Sequence, residues 1–178
     1  MKNQVTLSIV VVMFVIGGAV AQTPYAGMQA RSIKALSDQQ IADLRAGRGM
    51  GLALAAELNG YPGPSHLLEL ADKIDLSDTQ RNGARSMFEA MKAETIPIGE
   101  RLIAQEAALD KLFADHAITP ETLSAATAEI GVTQSQLRAA HLKYHLSTVA
   151  ILEPSQIQQY STLREYDPGA EEHHHHHH

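Results

Sequence analysis

Two histidines stand four residues apart in the stretch "AAHLKYHLSTVAILEPSQ" (139–156), His141 and His145. Four residues advance a helix by about one turn, so both imidazoles leave the same face and can reach one ion. On a helical wheel His141 falls beside Ile130, Leu137, Tyr144 and Leu152, which puts the pair at the margin of the buried stripe. Burial disfavours the imidazolium and leaves neutral nitrogens able to act as ligands. The plainer alternative is a pair of hydrogen-bonded core histidines. His66 in "SHLLEL" is a third candidate, with Glu69 about one turn further along the same side, and Glu57 is a further carboxylate ahead of it. Taken alone, His66 reads as a helix-start residue and Glu69 as a solvated first-turn carboxylate.

Three histidines with one or two carboxylates suit zinc, nickel, cobalt or copper(II) and, with more oxygen, iron or manganese. Met87 and Met91 share a helix face and read as a packed stripe before they read as soft copper(I) ligands. A di-iron oxidase would need Glu-x-x-His on two helices, and the chain has none. Ser147, the one serine close to the histidine pair, points to the other side of the helix, so no nucleophile, base and oxyanion-donor set emerges. The expectation is a binding protein and not an enzyme.

Composition narrows the classes further. There is no Cys, which excludes thiolate metal sites, cysteine nucleophiles and disulfides. A formal charge of −6, no Trp and only three Phe argue against nucleic acid, which needs clustered cations and stacking platforms. The opening "MKNQVTLSIVVVMFVIGGAVA" carries an early Lys, an apolar run and Ala19-Val20-Ala21, the pattern of a secretory signal cleaved before Gln22. The periplasm is the expected location, with an uncleaved inner-membrane anchor as the alternative. "HHHHHH" at 173–178 is an expression tag and takes six of the ten histidines with it. The expected organisation is signal peptide 1–21, a flexible segment 22–36, one domain over 37–166, and linker plus tag from 167 to 178. The roughly 140 residues left to fold suffice for one domain.

The elements that must position the histidines are helical, because every long segment repeats its apolar residues at three- and four-residue spacing. A first helix is predicted from "LSDQQIADL" through "LALAAEL", capped by Ser37 with Gln40 at the capping-box position and ended by "NGYPGPS". "GRGMG" (47–51) interrupts it as a kink or a place of close helix contact. A phosphate loop does not fit there, since no Gly-Lys-Ser/Thr follows and no strand precedes. Next come a short helix "SHLLELADKI" and a long one capped by Ser77 and bent at Pro97. Another long helix opens with Thr119, Pro120 and Glu121, a strong start without a capping box, and a short helix follows "LEPSQ". The predicted fold is all-α: a long antiparallel helical hairpin with shorter helices packed against it.

"LSDTQ" (76–80) and "LEPSQ" (152–156) each set a Leu, a turn and a Gln on the following helix. The pair resembles the Leu-Thr-x-x-Gln signature of the periplasmic Spy/CpxP proteins, of heavy-metal resistance proteins and of nickel/cobalt sensors of the CnrX kind, although neither copy has the Thr. The resemblance covers roughly residues 64–166 and implies a Spy/CpxP-like four- to five-helix domain. It also implies a metal set of His66, Glu89, His141 and His145. Glu69 is the one nearby substitute for a second histidine that the sensors carry on the first of these helices; Glu57, near the end of the first predicted helix, lies outside the resemblance as a further carboxylate candidate. Helical geometry speaks against Glu89, which points away from the stripe of Ala84, Met87, Phe88 and Met91. The function implied is a periplasmic sensor or buffer of zinc, copper, nickel or cobalt in metal resistance or homeostasis. The alternative is an ATP-independent chaperone or envelope-stress regulator. Implied partners are the metal ion, a second copy in a homodimer, and an inner-membrane regulatory protein or unfolded clients.

Overall fold

A computed structural model describes residues 25–166 of the chain. The proposed signal peptide, the linker and the tag lie outside the described residues. Six α-helices lie within them: α1 (Asp38–Arg45), α2 (Leu54–Glu57), α3 (Pro64–Glu69), α4 (Asp78–Ala114), α5 (Pro120–Val149) and α6 (Pro154–Leu163). The described residues contain no sheet, only an isolated bridge between Ile33 and Leu36, and the protein is all-α. None of these helices is long and apolar enough to cross a membrane.

Short polar side chains start the helices by satisfying amides that have no intrahelical partner. Ser37 Oγ accepts from the Gln40 N–H at 3.2 Å while Gln40 Oε1 accepts from the Ser37 N–H at 2.9 Å. Ser77 and Gln80 repeat the exchange at α4, at 3.2 and 3.0 Å. Sequence reasoning denied α5 a capping box, yet Thr119 and Thr122 form one, with Thr122 Oγ1 accepting from the Thr119 N–H at 2.9 Å. A threonine hydroxyl does there what a Glu or Gln side chain usually does. Pro97 lies inside α4, which continues through it.

The single first helix expected from residue 37 to the apolar run before "NGYPGPS" is in fact two. Its backbone turns left-handed at Gly47 (φ +66°), Met50 (φ +45°) and Gly51 (φ +79°), which ends α1 and restarts the chain as α2. The break is also a close contact, since a Cβ on Gly47 would stand 2.9 Å from Thr95 Oγ1 of α4. The segment expected to be flexible carries a short 3-10 turn at Met28–Ala30 and buries Ile33 and Leu36.

Two apolar clusters form the core. One joins Ile33, Leu36, Ile41 and Leu44 to Leu102, Ile103, Ile130 and Leu137 of the long helices. The other gathers Leu67, Ala71, Ile74 and Leu76 around Ala84 and Tyr160. Contacts between α4 and α5 descend in register: Met87 meets Thr148, Glu94 meets Tyr144 and Lys143, and Arg101 meets Gln136. The glutamines of the two repeated motifs face each other. Gln80 Nε2 donates to Gln156 Oε1 at 2.8 Å and to the Ile151 carbonyl at 2.8 Å, and Gln156 Nε2 donates back to Gln80 Oε1 at 3.1 Å. The starts of α4 and α6 are thereby tied together.

Candidate functional site

On α4 a stretch separates Ala84 of one apolar cluster from Leu102 and Ile103 of the other, and a cleft of about 720 Å³ opens beside it. Phe88, Met91 and Lys92 of α4 and His141 and His145 of α5 line one side. The 46–51 turn, Glu57 at the end of α2 and His66 in α3 line the other, with Arg164 just beyond α6.

Glu57 is the best-connected side chain in the cleft, although it is only 5 % exposed. Its Oε1 accepts from the Tyr160 hydroxyl and pairs with His66 Nδ1 at 3.2 Å; its Oε2 accepts from the Gly63 N–H at 3.1 Å. Arg164 Nε stands 4.0 Å away. Burial pushes the Glu57 carboxyl up, but the hydrogen bonds from His66 and Tyr160, the His66 charge and the Gly63 amide outweigh it and hold the pKa low. The carboxylate in turn raises His66 through its hydrogen bond, against a smaller downward push from burial. Burial first, and then Glu57, pushes the Tyr160 phenol far up, so it stays a donor.

The histidine pair is buried: His141 is 2 % and His145 7 % exposed. His145 Nδ1 lies 2.6 Å from the Tyr61 carbonyl. A carbonyl only accepts, so His145 Nδ1 carries a proton and donates it there. The ring lies against Gly63, where a Cβ would stand 2.8 Å from Cε1. His141 packs on the 47–51 turn, with Nδ1 3.6 Å from where a Cβ on Gly49 would be, and its Nε2 is buried with no hydrogen-bond partner. An orphaned buried polar atom costs about 1–3 kcal/mol and marks a site that a ligand can complete. Burial, with a smaller contribution from the His145 charge, holds the His141 pKa down, so the ring is neutral near pH 7.

The sequence candidates divide accordingly. His66, Glu69, His141, His145 and Glu57 line one cleft. Glu69 is exposed, with Arg164 3.8 Å away. Glu89 is exposed on α4 and does not line the cleft, as its position on the helix foretold. Sequence reasoning missed Tyr160, Arg164 and the Tyr61 carbonyl; no spacing signal marks residues that meet Glu57 or His145 from about 80 to 100 residues away. Nor is a set ready to grip an ion: among the described residues no group of three or more His, Cys, Asp or Glu is gathered in ligand geometry.

Comparison of the chain with protein families, with curated proteins and with solved structures finds no match.

Proposed function

We propose that the cleft binds a divalent transition metal, zinc, copper, nickel or cobalt, and that the protein acts in the periplasm as a sensor or buffer of that metal. The observation that carries this reading is convergence. His66, His141, His145 and Glu57 come from α3, α5 and α2, far apart in sequence, and line a single cleft. The donor set fits the metal class, being imidazole-rich with a carboxylate close by. Its support resembles that of metal-binding histidines, which hand their second ring N–H to a carboxylate or carbonyl. Glu57 serves His66 and the Tyr61 carbonyl serves His145 in that way. Glu57 is therefore assigned to orienting His66 more than to ligation, since its own oxygens are occupied. The His66 side chain is 42 % exposed and lines the same cleft as the pair.

The Spy/CpxP-like arrangement, a helical hairpin with short helices against it, belongs to the same reading. The descending contacts between α4 and α5 and the joined glutamines of the two motifs support it. Calorimetry of tag-free protein against zinc, nickel and copper, beside a His141→Ala/His145→Ala variant, tests the proposal. Binding is expected to disappear in the variant, and equal binding by both proteins refutes it. The tag must be removed, because six terminal histidines bind these metals themselves.

A further inference from the structure

A bare ion is a poor match to this cleft in three respects. The first is size: zinc holds its ligands at about 2.0–2.3 Å, whereas about 720 Å³ falls in the range of small-molecule sites, roughly 300–1,000 Å³. The second is ligand number. No three His, Cys, Asp or Glu are gathered among the described residues, and Glu57 is occupied by Tyr160, Gly63 and His66, so the chain leaves coordination positions to be filled from outside. The third is charge. The lining holds three permanent cations, Arg48, Lys92 and Arg164, against two carboxylates, in a chain whose net charge is −6.

The cations differ in how far they are engaged. Arg48 is paired with Asp43 at 2.5 Å, and Arg164 lies between Glu57 and Glu69. Lys92 stands over the Phe88 ring, 5.5 Å from its centroid, and forms no ion pair among the described residues. Lys92 is thus the one lining cation left without a carboxylate partner among the described residues, and its charge favours an anion over a bare divalent cation. Met50, Leu54, Phe88 and Met91 supply an apolar wall for a carbon skeleton.

We infer that the cleft takes its metal as a complex with a small carboxylate chelator, the histidines filling part of the coordination sphere, the chelator the rest, and Lys92 pairing with a chelator carboxylate. This inference rests on the metal-binding reading above and goes beyond it by naming a second ligand.

Native mass spectrometry and calorimetry of tag-free protein with zinc, alone and with citrate, test it. The expected result is a ternary species of protein, zinc and citrate that the His141→Ala/His145→Ala variant does not form. In Lys92→Gln its affinity should fall about threefold or more, the scale of one partly exposed ion pair. Zinc retained with citrate stripped away, or a ternary complex indifferent to Lys92→Gln, overturns the inference and leaves the metal-binding reading standing. Absence of binding from zinc and from its citrate complex overturns both.

Discussion

Replacing Gly63 by Ala tests the geometry of the site through a single methyl group. The Gly63 backbone is extended (φ −82°, ψ 150°), a conformation any residue adopts, so the substitution brings no backbone strain. It does bring a collision. The new Cβ would stand 2.8 Å from His145 Cε1 and 2.9 Å from Nε2, where carbon atoms prefer about 3.5–4.0 Å. The ring cannot simply swing away, because His145 is buried and its Nδ1 is bound to the Tyr61 carbonyl. Forcing a methyl into a packed site costs about 1–3 kcal/mol, while Gly→Ala regains about 0.4–1 kcal/mol by restricting the unfolded chain. The expected net loss is about 1–2 kcal/mol. Urea unfolding of tag-free protein should show the midpoint moving down with the slope unchanged. The same substitution in a His145→Ala background should cost almost nothing, because the ring is gone, so the two changes should be strongly non-additive. If Gly63→Ala is as stable as the parent, or costs the same in both backgrounds, the packing of His145 on Gly63 is refuted.

Glu57→Gln should destabilise by about 1–3 kcal/mol, since an amide cannot accept at both oxygens from Tyr160, Gly63 and His66; chemical denaturation measures it. Gln80→Ala and Gln156→Ala should together cost less than their separate effects added, as each single change already breaks the same reciprocal pair; a double-mutant cycle reads this directly. His141 has its pKa lowered by burial, so below about pH 6.5 the unfolded chain binds a proton that the folded chain does not. Its contribution to stability should therefore be complete above that pH and decline as pH falls below it. A His141→Phe variant should lose that part of the pH dependence in midpoints measured from pH 5 to 8.

What could be read from the sequence was whatever neighbouring residues decide. Ser37, Ser77 and Thr119 act within three residues of themselves, and the helix starts they announce are where the structure has them. The glycines of 47–51 foretold an interruption, though not that the turn would cover His141. The wheel placed His141 and His145 near buried neighbours, and both are buried. Glu57 is the instructive failure. Nothing within a turn of it signals a buried carboxylate, because its partners Gly63, His66 and Tyr160 lie six, nine and 103 residues away. Glu89 is the opposite case: a motif resemblance nominates it, the helical phase of its own neighbours points it outward, and it is exposed on α4 outside the cleft.

The last helix reaches more of the molecule than its ten residues suggest. Gln156 meets Gln80, Gln159 donates to the Lys73 carbonyl, Tyr160 donates to Glu57, and Arg164 just beyond lies close to Glu57 and Glu69. These side-chain tethers, spaced along the helix, predict that it opens as a unit and does not fray from its end. Its amides should then exchange hydrogen with a common protection, and any event that draws His66 away from Glu57 should be registered in the exchange rates of α6, some ninety residues further along the chain.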